Sequence, residues 1–361
     1  MKFLPIFQRN GKMNFDDRPL IVFYEITKAC MLSCKHCRAN AVFNRDPAEL
    51  NLVEIDKLAT ELESFGKPSP ILIISGGDPL MRGDIFDVLD IFNSHHLITN
   101  IAFSGTKLVT EKKVEKLEER VKTVAISLDG ADAAVHDAWR GINGTFDTSL
   151  KIISLLKEHG IRYQINTTVS NFNLENLKKM PELLERLEPD TWDLFFLIPT
   201  GRAQGSMMIT ADQAENFLKE TFTLSKNIKY RIKVTEAPFY NRIKLQNGAG
   251  AQTIMRDEKG RGVTDGRGTM FISNIGDVTP TGFLPEYAGN AKKRSIVDLY
   301  RKSEIFTLLR DPDKLKGKCG ICKYRYVCGG SRARAYAVYG DYLAEDPLCG
   351  FMPEEIKNGS N

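Results

Sequence analysis

From Leu20 to about Ser225 the chain repeats one pattern. A short run rich in β-branched and apolar residues is followed by a longer stretch whose apolar positions recur every three or four residues. The short runs are 20–27, 70–76, 99–104, 123–128, 162–169 and 191–198; the periodic stretches are 52–65, 85–97, 111–120, 146–159, 174–187 and 211–224. Within 146–159, Phe146, Leu150, Ile153 and Leu156 recur at helical spacing, with Thr145 as a start signal and Gly160 as a stop. Six strand–helix units in series predict parallel strands joined by right-handed crossovers. Six are too few to close an eight-unit barrel, so the expected fold is α/β, an open partial (β/α)6 TIM-like barrel. Functional groups in such a fold gather at the C-terminal ends of strands. Cys30, Gly76–Asp78 and Ser127–Asp129 lie at those ends.

After residue 225 the rhythm changes. Residues 229–236 read as a strand ended by Ala237-Pro238, 247–268 as loop, 269–279 as a hairpin turning at Asn274-Ile275-Gly276, and 296–309 as helix. This divides the chain into an N-terminal extension (1–19), the barrel (20–225), a bridging region (226–268) and a smaller α+β domain (269–361).

Charge narrows the partners. Fifty basic and 46 acidic side chains leave a net +4, too balanced to argue for nucleic acid or an anionic membrane. Apolar runs such as 194–199 and 71–74 fall far short of the ~20 residues a spanning helix needs. The first 18 residues lack the apolar stretch and cleavage site of a secretory signal. A cytoplasmic protein with no membrane or nucleic-acid partner is expected. Seven cysteines, an odd number split three and four, argue against a disulfide framework.

The three are Cys30, Cys34 and Cys37, in the pattern C-x3-C-x2-C directly after the first strand. Zinc ordinarily takes four ligands in pairs, which an odd trio does not supply. The pattern resembles the signature of the radical S-adenosylmethionine (SAM) superfamily. The resemblance implies a 4Fe–4S cluster on three thiolates, with the fourth iron open to SAM, and reductive cleavage of SAM to a 5′-deoxyadenosyl radical. His36 sits inside the motif where the family often has an aromatic, and is expected to pack over the cluster or SAM, ligation being the alternative.

Three further motifs gain meaning beside the trio. In Ser75-Gly76-Gly77-Asp78-Pro79 two adjacent glycines let backbone approach closely and proline fixes the turn. Alone this is an ordinary strand-end turn; it is similar to the family's GGE/GGD motif, which implies contact with the SAM amino group, Asp78 stabilising that charge or anchoring the loop. Ser127-Leu128-Asp129-Gly130 with Arg140 reads alone as a capped turn. It is similar to the family segment whose serine and downstream arginine meet the SAM carboxylate, a task suited to the arginine fork. At the fifth strand, alternation is expected to turn Asn166 or Thr168 toward the barrel near the adenosyl group, strand-end hydrogen bonding being the plain reading.

The second group, Cys319, Cys322, Cys328 and Cys349, has the spacing C-x2-C-x5-C followed by a twenty-residue gap. It resembles the distal auxiliary-cluster portion of a SPASM domain, so residues 269–361 are expected to form a SPASM/twitch-like domain with a fully ligated auxiliary 4Fe–4S cluster. The family's extra cysteines for a nearer cluster are replaced around Thr281 and at Arg332, which implies one auxiliary cluster, not two. A four-thiolate zinc site is the rival. The 317–336 run, with Gly340-Asp341 and 346–349, resembles radical SAM enzymes that modify tetrapyrroles in the siroheme-dependent heme pathways, a likeness covering roughly residues 18 to 352. It implies a small-molecule substrate, a tetrapyrrole, and reduced ferredoxin or flavodoxin as electron donor. Arg202, Glu236, Tyr240 and Arg242 are the candidate substrate contacts, the arginines pairing with rim carboxylates; solvated loop charge is the plain reading. Two rivals stand beside this: a SPASM-type peptide or protein maturase, and a non-catalytic iron–sulfur electron carrier.

Overall fold

The computed structural model describes residues 13–354. Its strands are β1 (Ile21–Thr27), β2 (Ile71–Gly76), β3 (Thr99–Phe103), β4 (Thr123–Ser127), β5 (Tyr163–Val169), β6 (Thr191–Phe196), β7 (Arg231–Thr235), β8 (Thr269–Ile272), β9 (Asp277–Thr279) and β10 (Gly289–Asn290). The helices of the first half are α1 (Leu52–Glu63), α2 (Ile85–Ser94), α3 (Glu111–Glu118), α4 (Ala133–Arg140), α5 (Thr145–Glu158), α6 (Leu174–Leu177), α7 (Met180–Leu187) and α8 (Ala211–Leu224). Then follow α9 (Tyr240–Gln246), α10 (Ile296–Lys302), α11 (Glu304–Arg310), α12 (Gly317–Ile321) and α13 (Arg332–Tyr339).

One ten-stranded sheet runs β10-β9-β8-β1-β2-β3-β4-β5-β6-β7. β1 to β7 are parallel neighbours in chain order, as the alternation predicts. The predicted strand 229–236 is β7, which extends this series on β6. β8 adds parallel to the other edge of β1, pairing Ile21 with Thr269 through Tyr24 with Ile272. The β8–β9 hairpin therefore continues the barrel sheet. An open curved sheet with helices on its outer face leaves a concave face for ligands.

Packing follows the patterns. Val22, Tyr24 and Ile26 of β1 alternate into the core, where Ile55, Leu58 and Leu62 of α1 meet them. Asn51 and Glu54 close a capping box at the start of α1, and Thr210 and Gln213 do so for α8. Two predicted helices are each broken in two. Residues 174–187 split because Pro181 lacks the N–H that would continue α6. Residues 296–309 split at Ser303, whose backbone is extended (ψ 142°). α4 was not predicted; its buried residues are His136, Trp139 and Arg140, so its inward face carries no aliphatic period.

Candidate active site

At the end of β1 the chain turns into the cysteine loop. Thr27 carries the turn: its hydroxyl donates to Glu49 Oε1 at 2.5 Å and accepts from Ala29 N at 3.0 Å. The loop after β2 lies alongside, Gly77 N donating to Thr27 O (2.8 Å) and Asp78 N to Ala29 O (2.7 Å). A Cβ on Gly76 (φ +149°) would fall 2.2 Å from Thr27 O, and one on Gly77 2.2 Å from Ala29 O. The double glycine thus lets two backbones touch. Asp78 is buried; it accepts from Leu80 N (3.0 Å) and Thr106 Oγ1 (2.9 Å), the geometry of a loop anchor.

Cys30, Cys34 and Cys37 line a cavity at the C-terminal ends of the parallel strands, together with Gly76, Gly77, Ser127, Arg140, Asn166, Thr168 and Arg202. Asn166 and Thr168 both face it. They are two apart on one strand and share a face, so the expectation that only one would do so is corrected. Burial pushes the Cys30 thiol up to about 11 and raises Cys34. Leu32 N lies 3.4 Å from Cys30 Sγ, Ala41 N 3.3 Å from Cys37 Sγ and Arg140 Nη1 3.7 Å from Cys34 Sγ. Three sulfurs, two buried and one (Cys37) partly buried, with N–H donors and a cation beside them suit anionic thiolates on a metal cluster. Among the described residues, the group of three or more His, Cys, Asp and Glu ligand atoms gathered within 4.8 Å is the surface set Glu111, Glu115 and His159; neither cysteine set is gathered so tightly.

Behind the cysteines sits a buried charge network. Arg140 Nη2 pairs with Asp129 Oδ2 at 2.6 Å, and Asp129 Oδ1 accepts from Thr168 N at 2.7 Å. Burial works against the Asp129 carboxylate, but Arg140, His36, His136 and the Thr168 N–H together outweigh it and hold the pKa below the ordinary range. Arg140 is raised in turn, Asp129 and Cys34 together overcoming the burial that works against it, and its Nε has no hydrogen-bond partner. His36 Nε2 lies 3.7 Å from Asp129; burial lowers its pKa to about 3, so the ring is neutral. His36 stacks on Trp139 (4.8 Å, 10°), and Trp139 on Phe172 (5.0 Å, 10°). His136 accepts from Asp129 N (3.0 Å), a contact no motif announced.

Arg202 closes the site from the loop after β6. Its N donates to Cys37 O (3.0 Å), its Nε to Cys34 O (2.8 Å) and its Nη1 to Ala41 O (2.9 Å). Its Nη2 is buried with no hydrogen-bond partner. Arg38, to which sequence reading assigned no role, pairs with Glu25 (2.5 Å), donates to Gly282 O (3.2 Å) and lies over Phe271 (4.8 Å). Nothing local marks it, because Gly282 and Phe271 are distant in the chain.

The other three substrate candidates are not brought to the cavity, which corrects that expectation. Glu236, in the left-handed region (φ 62°), accepts from Ser331 Oγ at 2.7 Å. Tyr240 is buried in the core on α9. Arg242 is buried and paired with Glu215 (2.5 Å), its Nη2 3.9 Å from Cys349 Sγ. Around the second cysteine group, Gly330 N lies 3.4 Å from Cys328 Sγ, Asp346 N 3.4 Å from Cys319 Sγ and Arg332 Nη2 3.9 Å from Cys319 Sγ. Arg332 also donates to Tyr342 O and Ala344 O, so it holds the strand of chain that leads to Cys349.

Parallel strands ending on a cavity lined by three cysteine thiols define an α/β enzyme built around an iron–sulfur centre. Residues 24–187 match the Radical SAM superfamily. The AdoMet-dependent heme synthase of Methanosarcina barkeri (strain Fusaro / DSM 804) is 39% identical over 342 residues, 93% of this chain and 97% of that protein. The enzyme of the same name from Nitratidesulfovibrio vulgaris is 38% identical over 344 residues, 93% of each. Streptococcus suis SuiB, solved with its precursor peptide SuiA, superposes with TM-score 0.74 at 17% identity over 93% of this chain and 76% of that one, which shows a shared fold. The chain belongs to the radical SAM superfamily. It is an enzyme whose family membership brings a 4Fe–4S cluster and SAM. No helix among the described residues is long and apolar enough to cross a membrane.

Proposed function

We propose that this protein reductively cleaves SAM and uses the resulting radical to modify side chains of a tetrapyrrole. The observation that carries the substrate class is identity of 39% along nearly the whole length of a protein named heme synthase. Membership of an enzyme superfamily removes the electron-carrier reading. When bound, the cluster supplies the electron that breaks the sulfonium C–S bond, and SAM the 5′-deoxyadenosyl radical that abstracts hydrogen.

Cys30, Cys34 and Cys37 would hold the cluster, and Gly76, Gly77, Ser127, Asn166 and Thr168 form the wall against SAM. Asp129 holds Arg140 at Cys34, leaving Nε for a carboxylate. Of the arginines lining the cavity, Arg38 is matched by Glu25 and Arg140 by Asp129; Arg202 has no carboxylate partner among the described residues. That makes Arg202 the anchor for a substrate carboxylate. Cys319, Cys322, Cys328 and Cys349 would hold one auxiliary 4Fe–4S cluster. Arg332 and Arg242 beside Cys319 and Cys349 offset thiolate charge.

The test is anaerobic incubation of reconstituted protein with SAM, reductant and a panel of siroheme-derived and iron-porphyrin intermediates, followed by mass spectrometry. 5′-Deoxyadenosine together with a mass change on one tetrapyrrole is expected, and a Soret shift on binding that Arg202→Ala abolishes. 5′-Deoxyadenosine with no tetrapyrrole bound or altered would overturn the substrate class and return the peptide-maturase reading. No 5′-deoxyadenosine would overturn the cleavage itself.

A further inference from the structure

The cavity has a polar side and an apolar one. Ser127, Arg140, Asn166 and Thr168 make the polar side, the wall placed against SAM. Part of the apolar side comes from far along the chain. Among the described residues that line the cavity, Phe283 is the one that follows Arg202 in sequence. It belongs to the loop between β9 and β10.

Local packing presents this ring to the cavity. Leu284 is fully buried, and its N–H closes a tight turn on Thr281 O (3.2 Å). Its neighbour Phe283 packs against the core yet stays partly exposed at the cavity. The loop backbone is held on both sides. Gly282 O accepts from Arg38 Nη1 (3.2 Å) and Phe283 O from Thr200 Oγ1 (3.3 Å). Arg38 is itself fixed by the buried Glu25 carboxylate, and its guanidinium lies 5.9 Å from the Phe283 ring centre. Gly282 permits the close approach, since a Cβ there would fall 2.8 Å from Phe271 Cε2 and 3.0 Å from Arg38 Cζ. A ring on a fixed backbone, with a cation against it, has little freedom left to lose when a ligand lands on it.

Phe195 adds a second ring. It pairs in register with Thr168, so the two side chains share the cavity face of the sheet. Arg202 lines the same cavity, and its Nη2 has no hydrogen-bond partner. Two aromatic rings and one unsatisfied guanidinium nitrogen select a ligand with a broad apolar face and a carboxylate at its edge.

We propose that Phe283 is a specificity-determining residue that stacks on the conjugated macrocycle of the substrate, an inference that rests on the tetrapyrrole reading above. A flat π-system gains from an aromatic ring an offset-stacking attraction that a branched aliphatic side chain does not supply. The C-terminal region thus contributes a substrate contact as well as the second cysteine group.

The test titrates hemin, as an iron-porphyrin probe, into the reconstituted full chain under anaerobic conditions and follows the Soret band. Phe283→Tyr keeps the ring and should bind within about threefold of wild type. Phe283→Leu should weaken binding roughly fivefold, and Phe283→Ala roughly thirtyfold. Iron content and SAM affinity should match wild type in all three, because the cysteines and the SAM wall lie on other elements. A parallel loss of iron or of SAM affinity overturns the proposal and makes the ring a structural support. Wild-type affinity in Phe283→Leu also overturns it, because apolar bulk alone then suffices. A wild-type Soret shift that none of the variants alters overturns the proposal and leaves the tetrapyrrole reading standing. Wild type without a Soret shift fails that reading itself and takes the proposal with it.

Discussion

Arg140 and Arg242 look alike as sequence, each a basic residue in a helical stretch, yet the structure gives them unrelated work. Arg140 stands at Cys34 with Asp129 as its counter-ion, and Arg242 stands beside Cys349 with Glu215. What a charged side chain does depends on its partners, and these lie 27 residues away for Arg242 and 106 for the Arg140–Cys34 contact. Glu236 shows the same limit. Burial raises its carboxyl well above the ordinary range, with nearby Asp265 raising it further; Ser331 and Arg334, itself paired with Asp346, pull the other way. The native state then keeps a proton that the unfolded chain releases as pH climbs past the ordinary carboxyl range. Its contribution to stability is full below that range and is lost as pH rises through the folded-state pKa. Glu236→Gln should therefore gain on wild type in urea midpoint between pH 5 and pH 8. Parallel pH profiles for the two proteins would refute the proton assignment.

The first nine strands were legible to within two residues because each is bounded by turn residues, whereas β10 (Gly-Asn) was not read at all; α8 was legible residue for residue because a capping box opens it. The short helices α4, α9, α12 and α13 were not, since each is held by contacts from elsewhere. α13, for instance, buries Arg332 and Arg334, whose bonds run to Ala344, Glu236 and Phe196. The two loops at the ends of β1 and β2 show how elements build the site. Gly77→Ala would press a methyl to 2.2 Å from Ala29 O and 2.7 Å from Lys28 O, forcing the cysteine loop aside. A cost of ~1–3 kcal/mol is expected from such overpacking, with reduced iron content at the first site. Gly83→Ala, with nothing within 4 Å, is the control and should leave both unchanged. Full iron loading and unaltered unfolding in Gly77→Ala would show that the loops can separate without harm.

Across the whole molecule, the C-terminal region is tied to the barrel rather than hung from it. β8 pairs with β1, Arg38 reaches from the cysteine loop to Gly282, and Arg334 donates to Phe196 O and Glu236 O at the far side. In the second cysteine group Cys319 and Cys328 are buried, and Cys322 and Cys349 are partly buried. Cys328→Ala should lower iron by about four per chain, the complement of one cube. SAM cleavage should persist and tetrapyrrole turnover fall. Unchanged iron with zinc present in wild type would replace the cluster by a structural metal, and unchanged turnover in the folded variant would leave the second cluster without a redox role.

The spacing of seven cysteines, the alternation of strand and helix, and the paired glycines were enough to predict an open parallel barrel and thiolate chemistry at its mouth. Those features depend on neighbours a few residues apart, so order along the chain carries them. Which arginine faces the cavity, that Asn166 and Thr168 share it, and that a distant hairpin joins β1 emerged from folding. They are pairings across tens to hundreds of residues, set by burial and charge in three dimensions.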